Sequence, residues 1–194
     1  MAEAVHSTVI LDRSGSMENI RDDTIGGFNS FLATQQAIPG ETTLSLVQFD
    51  SQDPYEIVFH ALRIGEISPL TRETFVPRGG TPLLDALGRG MNDTASIIGG
   101  RARILFAVVT DGQENASREF RKSVIARMIA EKQHEGWQFA FLSADLDAIQ
   151  DAKNYGVNPD ATLHFQKDGG SKLAWESLSK MTSKYRGGSS EVGF

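Results

Sequence analysis

Apolar positions recur with two different periods along the chain, and this pattern predicts an alternation of strands and helices. Runs that are continuously apolar or that alternate with polar residues predict strands at 8–11, 44–49, 55–64, 103–112, 137–145 and 162–165. Apolar residues spaced by three or four predict helices near 20–32, 84–98, 120–135, 146–155 and 171–185.

The strands differ in how much of each should be buried. The run 103–112, RILFAVVTDG, is too continuously apolar to face water on either side, which is typical of a central parallel strand. The segment 55–64 alternates cleanly and predicts a half-exposed strand at an edge of the sheet. Repeated strand–helix units require right-handed crossovers. We therefore expect an α/β fold, doubly wound, with a mainly parallel sheet and helices on both faces.

Composition narrows the function classes. The chain has 194 residues, enough for one domain, and a net charge of −6 without a Lys/Arg cluster, which argues against a nucleic-acid partner. No apolar run approaches the roughly 18 residues of a membrane span, so no membrane partner is expected. The absence of cysteine and of a basic start followed by an apolar core predicts a cytoplasmic location.

Hard oxygen groups follow predicted strands or precede a predicted helix in three loops. These loops are Asp12-Arg13-Ser14-Gly15-Ser16, Gly79-Gly80-Thr81 and Thr110-Asp111-Gly112. Residues two apart in an extended chain point the same way, so Asp12, Ser14 and Ser16 can present oxygens to one point. The glycines would let the backbone turn tightly.

A metal ion would explain why two of these loops carry an aspartate. If strand 8–11 and the strand over 103–110 are neighbours, they lie about 4.8 Å apart and bring Asp12 beside Asp111. Two such carboxylates repel, and one tends to take up a proton unless a cation separates them. With only oxygen donors nearby, the ligand set suits Mg²⁺, with Mn²⁺ or Ca²⁺ as alternatives, better than zinc.

Each of these side chains also has an ordinary structural explanation. Ser16 and Thr81 could be N-caps of helices, and Asp111 with the glycine after it could form a plain turn. Ser117 is predicted to cap the helix that follows it. Glu114, close to Asp111, could support the metal ligands or lie plainly at the surface, and the surface is favoured. Asp50 is predicted to lie on the rim without a defined role, and Arg13 to point away from the metal and bias partner choice. Trp137 and Trp175 are predicted to be core residues. Gly26 and Gly27 are predicted to weaken their helix or let it approach the sheet.

The three motifs together resemble those of von Willebrand factor type A domains. DRSGS matches the Asp-x-Ser-x-Ser signature of that family, Thr81 in GGTPL matches its second-loop threonine, and Asp111 in VVTDG matches its third-loop aspartate. The resemblance covers roughly residues 5–185 and implies a Rossmann-like, six-stranded sheet with one antiparallel edge strand. We expect a domain over 1–185 and a flexible tail over 186–194. In size and lack of a signal the chain is similar to intracellular single-domain members from bacteria and phages.

What the resemblance implies is a complete metal-ion-dependent adhesion site. Ser14, Ser16 and Thr81 would offer hydroxyls to the metal, and Asp12 and Asp111 would bind it directly or through water. One coordination position would stay open for an Asp or Glu of a partner protein. The expected function is therefore metal-dependent protein binding and not catalysis.

An enzymatic alternative starts from Asp12 alone. An aspartate at the end of a first strand is similar to the nucleophile of haloacid-dehalogenase-like phosphatases, which would make the chain a Mg²⁺-dependent phosphoryl-transfer or hydrolytic enzyme. Those enzymes carry a second carboxylate two residues later as general acid/base. Here Ser14 stands at that position and cannot take the role.

Overall fold

The computed structural model describes residues 4–190 and 192–194. In that part of the chain six strands form one sheet, namely β1 (Val5–Asp12), β2 (Thr42–Phe49), β3 (Glu56–Arg63), β4 (Arg103–Thr110), β5 (Gln138–Ser143) and β6 (Thr162–His164). The α-helices are α1 (Arg21–Ala37), α2 (Leu83–Ile98), α3 (Lys122–His134), α4 (Leu146–Asn154) and α5 (Gly170–Arg186). No described helix has the length and apolar character needed to cross a membrane.

The strand order is β3-β2-β1-β4-β5-β6. Every neighbouring pair is parallel except β2 and β3, so β3 is an antiparallel edge strand. The predicted fold class is confirmed, including the half-exposed edge strand at 55–64. Because β1 lies between β2 and β4, the order of the strands along the chain reverses between β1 and β4. Ligands of open α/β sheets bind beyond the carboxyl ends of the strands at such a reversal.

The two central strands are buried on both faces. Residues 9 and 11 of β1 pack on one face of the sheet and residue 10 on the other, and all three are at most 1% exposed. Residues 104–109 of β4 divide in the same way between the two faces. Burial on both faces explains why 103–112 reads as a continuous apolar run in the sequence.

Helices cover each face of the sheet. On one face α1 packs against α5, and Phe28 and Phe31 of α1 contact Trp175 of α5. On the other face α2, α3 and α4 cover a core that includes Phe106 and Trp137. Both tryptophans are buried, as predicted.

The segment predicted to be a flexible tail makes several contacts. Helix α5 includes Arg186, the first residue of that segment. Val192 is buried within the core of the α1–α5 face, and the amide of Phe194 donates to the carbonyl of Asp160 at 2.9 Å. These contacts join the end of the chain to the segment before β6, while the mobility of the tail stays a prediction.

His6 in β1 is a fully buried imidazole. Its Nδ1 lies 2.8 Å from Thr43 Oγ1 and its Nε2 lies 3.1 Å from Thr8 Oγ1. Burial, together with the nearby charge of His60, lowers the pKa of His6 from 6.5 to about 4 against the opposing influence of Asp93. Nothing in this arrangement suits metal binding, and the histidine serves the core.

This lowered pKa predicts a loss of stability in mild acid. Since the unfolded chain takes up the proton on this imidazole near pH 6.5 and the folded chain only near 4, the stability that His6 contributes is complete above 6.5 and falls as the pH drops. We expect the stability that wild type has relative to His6→Gln to fall by about 2 kcal/mol between neutral pH and about pH 5. Urea unfolding at both pH values measures the loss. Groups other than His6 titrate equally in wild type and His6→Gln, so the difference between the two isolates His6, and a difference that does not change with pH would refute the assignment to His6.

Candidate metal site

The first loop begins where β1 ends, at a fully buried aspartate. Asp12 is 0% exposed, and its Oδ1 accepts a hydrogen bond from the amide of Ser14 at 2.7 Å. Its Oδ2 accepts one from the hydroxyl of Thr110, the last residue of β4, at 2.5 Å. The register pairs Leu11 with Val109, which places Asp12 opposite Thr110 and Asp111 one residue further along. The predicted neighbourhood of β1 and β4 is therefore confirmed.

The electrostatics of Asp12 favour the neutral acid in this arrangement. The pKa of Asp12 is raised to about 7, chiefly by burial and to a smaller degree by the nearby Asp111, while the hydrogen bonds from Thr110 and Ser14 oppose the shift. The expectation that one of two close carboxylates takes up a proton has the right direction, but desolvation is the leading cause. A dication beside Asp12 would favour the ionised form.

Two serine hydroxyls connect the first loop to the third. The Oγ atoms of Ser14 and Ser16 lie 3.2 Å apart, and Ser16 Oγ donates to Asp111 Oδ1 at 2.6 Å. Asp111 is 1% exposed. One hydrogen-bonded arc across the carboxyl ends of β1 and β4 thus joins Asp12, Ser14, Ser16 and Asp111.

Thr81 lies in the second loop, which is fixed against both of the others. The amide of Gly15 donates to the carbonyl of Gly79 at 3.0 Å, and the amide of Thr81 donates to Asn115 Oδ1 at 2.8 Å. Gly79 has a φ of +66°, and a Cβ there would lie 2.5 Å from Ser51 Oγ, so the tight turn requires glycine as expected. Backbone contacts therefore hold the buried Thr81 between the first and third loops.

The capping alternatives do not describe Ser16 or Thr81. Ser16 lies inside a 3₁₀ turn, Gly15–Ile20, which receives no side-chain cap. Helix α2 begins at Leu83 with Pro82 at its N-cap, so Thr81 is one residue too early for that role. Neither hydroxyl therefore caps the start of a helix.

The start of α2 is instead capped from the third loop. Glu114 Oε2 accepts from the amide of Leu84 at 2.9 Å, and Ser117 Oγ accepts from the amide of Asp85 at 3.1 Å. The predictions that Glu114 is a plain surface residue and that Ser117 caps the following helix are therefore wrong, since α3 begins only at Lys122.

Asp85 of α2 in turn holds the third loop in place. Its Oδ1 accepts from the amides of Glu119 and Phe120, both at 2.9 Å, and its Oδ2 accepts from the amide of Arg118 at 2.8 Å. The side chain is 3% exposed. Sequence reasoning missed this residue because its partners lie more than thirty positions away.

Arg13 and Asp50 form a buried ion pair beneath the first loop. Arg13 Nη2 lies 2.7 Å from Asp50 Oδ2, and Arg78 Nε lies 3.0 Å from the same oxygen. Arg13 also pairs with Glu56. Arg13 is 4% exposed and Asp50 is 0% exposed, so neither can touch a partner from this position. The predictions that Arg13 biases partner choice and that Asp50 lacks a role are wrong, because the pair anchors the loop.

A lysine that the sequence analysis did not single out reaches the site. Lys167 follows β6, and its Nζ lies 2.8 Å from Asp111 Oδ2. The carboxyl ends of parallel strands meet at one edge of the sheet, so a residue just after a strand can reach the site. This position after β6 is the only feature of the sequence that could have pointed to Lys167.

The donors at this edge fit a hard divalent cation. They are carboxylate and hydroxyl oxygens. Among residues 4–190 and 192–194, no group of three or more His, Cys, Asp or Glu side chains is placed to hold a metal, so a site here depends on the serine and threonine hydroxyls as well. The ammonium group on Asp111 shows that a cation is already accommodated beside these oxygens. Such a set suits Mg²⁺, Mn²⁺ or Ca²⁺.

Comparisons with known proteins support the fold. No protein-family model matches the sequence, and no curated protein matches it. The pilus adhesin SpaC from Lactobacillus rhamnosus GG, in its open conformation, is similar with a TM-score of 0.73 and 16% identity over 92% of this chain and 30% of the adhesin. A von Willebrand factor type A protein from Catenulispora acidiphila has a TM-score of 0.66 and 16% identity over 93% of this chain and 43% of that protein.

A third similar structure was solved with a metal. Proximal thread matrix protein 1 from the mussel byssus, with a zinc-occupied metal-ion-dependent adhesion motif, has a TM-score of 0.64 and 16% identity over 93% of this chain and 46% of that protein. This chain thus spans less than half the length of each of these proteins. At this identity the likeness concerns the fold, and this chain has the fold of von Willebrand factor type A domains.

Proposed function

We propose that the chain is a metal-ion-dependent protein-binding module that captures a carboxylate of a partner protein through a divalent cation. The observation that carries the proposal is the hydrogen-bonded arc of Asp12, Ser14, Ser16 and Asp111 at the point where the strand order reverses. Thr81 would complete the set from the second loop.

The charge balance of this set suits the capture of a third carboxylate. Asp12 and Asp111 together neutralise a dication, and the hydroxyls of Ser14, Ser16 and Thr81 add no charge. The metal would supply Lewis acidity toward an Asp or Glu of the partner. We propose Mg²⁺ as the ion, with Mn²⁺ or Ca²⁺ as alternatives, and zinc belongs in any titration because the related mussel protein was solved with it.

The positions of the side chains favour binding over catalysis. Asp12 is fully buried with both carboxylate oxygens hydrogen-bonded, so it is poorly placed to attack a phosphorus atom. Ser14 occupies the position at which a phosphatase of the alternative class carries its acid/base. Mg²⁺-dependent turnover of an aryl phosphate that disappears in Asp12→Asn would reverse this choice.

The sequence-based expectations about partners and location stay predictions. They are a protein partner offering Asp or Glu, no nucleic acid, no membrane, and a cytoplasmic location. The pilus adhesin among the similar structures supports a binding role for this fold, and its own location is not transferred to this chain.

The proposal predicts an exchangeable position on the bound metal that a carboxylate can occupy. Mn²⁺ held by the protein should speed the relaxation of water protons through its remaining water ligands. A short peptide with one central glutamate should lower this effect by displacing water, and the same peptide with glutamine should not. Asp12→Asn should weaken Mn²⁺ binding at least about tenfold, because it removes one of the two charged ligands.

Two controls make the measurement decisive. Asp168→Asn removes a charge from an exposed aspartate on the same edge and should leave Mn²⁺ affinity unchanged. The electron paramagnetic resonance signal of free Mn²⁺ shows whether the peptide strips the metal from the protein. Equal responses to the glutamate and glutamine peptides, with Mn²⁺ still bound, would contradict capture of a carboxylate.

A further inference from the structure

Lys167 lies in the loop between β6 and α5, far along the chain from the three loops of the metal site. Its Nζ lies 2.8 Å from Asp111 Oδ2. The lysine side chain is 43% exposed, whereas that of Asp111 is 0% exposed. A half-exposed, flexible cation therefore pairs with a fully buried anion.

With this contact each carboxylate oxygen of Asp111 has a hydrogen-bond partner. Its Oδ1 accepts from the hydroxyl of Ser16 at 2.6 Å, and its Oδ2 accepts from the ammonium of Lys167. A buried carboxylate without a counter-charge is costly, and charge-assisted hydrogen bonds of this kind are among the stronger ones. Lys167 thus supplies the positive charge that a bound metal would otherwise bring to Asp111.

We propose that Lys167 is an internal counter-ion of the metal site, which pairs with Asp111 in the metal-free protein and is displaced when a divalent cation binds. The inference rests on the proposed function, since it assumes that Asp111 is a metal ligand. An ammonium group and a dication on the same carboxylate would repel each other strongly at this distance. We therefore expect metal binding to break the contact between Lys167 and Asp111.

The displacement has two measurable consequences. The ion pair stabilises the metal-free protein. Because a metal has to displace this pair, the affinity of the protein for the metal is lowered. Lys167→Met keeps the apolar stem of the side chain and removes the charge. We expect this variant to bind Mg²⁺ or Mn²⁺ roughly five- to tenfold more tightly in calorimetric titration.

Thermal unfolding separates displacement from simple charge repulsion. If Lys167 leaves Asp111 when metal binds, Lys167→Met lowers the Tm in EDTA and leaves the Tm of the metal-saturated protein unchanged. Repulsion at a distance, without the contact, would leave the Tm in EDTA unchanged and raise the Tm of the saturated protein. In an Asp111→Asn background, Lys167→Met should no longer lower the Tm in EDTA.

A matched control and the wild-type titration distinguish the two possible failures. Lys172→Met removes an exposed lysine from the first turn of α5 and should change neither affinity nor Tm. If wild type binds metal and Lys167→Met has the same affinity and the same Tm in EDTA, the inference is wrong while the proposed function stands. If neither the wild type nor Lys167→Met binds a divalent cation, the proposed function fails and this inference fails with it.

Discussion

Asp111→Asn should abolish the thermal stabilisation that Mg²⁺ or Mn²⁺ gives the wild-type protein. At roughly a hundred times its Kd, a ligand that binds only the folded state adds about 2.7 kcal/mol. For a domain of this size each kcal/mol raises the Tm by about 2–4 °C, so the wild type should gain about 8 °C. The variant replaces a charged ligand by a neutral amide of the same shape and should gain almost nothing.

Thermal unfolding with and without metal tests this expectation. EDTA should return the wild-type Tm to its metal-free value, and Asp168→Asn should keep the full metal response. A cooperative transition of Asp111→Asn in EDTA shows that the variant is folded. If Asp111→Asn gained as much as the wild type, the metal would be bound elsewhere.

Gly27→Ala should destabilise the protein by about 3 kcal/mol through overpacking between α1 and α5. A Cβ at this position would lie 2.2 Å from Cδ1 and 2.7 Å from Cγ of Trp175. The indole is 1% exposed and is held between Phe28 and Phe31, at ring distances of 5.6 Å and 5.9 Å. Because the ring cannot yield, the two helices would have to separate.

The neighbouring glycine provides a matched control on the same helix. Gly26 is exposed and has no atom within 4 Å of an added Cβ, so Gly26→Ala should stabilise the helix by about 0.5–1 kcal/mol. Equilibrium urea unfolding measures both variants. Opposite signs are expected, and a Gly27→Ala variant as stable as the wild type would show that the packing of Trp175 is wrongly described.

The role of Gly27 shows what periodicity can and cannot reveal. The sequence predicts that the glycine pair permits a close approach, but the structure places Gly27 against Trp175 of α5 and not against the sheet. Helical spacing indicates which face of α1 is buried. It does not indicate the partner, because α5 lies about 150 residues later and its packing depends on the whole fold.

The candidate site was predictable as far as strand ends could be identified. Asp12 ends β1 and Asp111 follows β4, and parallel neighbours bring such residues to one edge. Lys167 escaped prediction because no local pattern distinguishes a loop lysine that pairs with a carboxylate 56 positions away. Glu114 and Ser117 escaped because capping rules assign a side chain to the next helix, whereas these two cap α2.

The most direct test of the metal site is anomalous diffraction from crystals of the protein grown with Mn²⁺. The strongest anomalous peak should lie among the side-chain oxygens of Asp12, Ser14, Ser16, Thr81 and Asp111, with the ammonium of Lys167 no longer on Asp111. A saturated protein with its strongest peak elsewhere, and with Lys167 still paired to Asp111, would contradict the account.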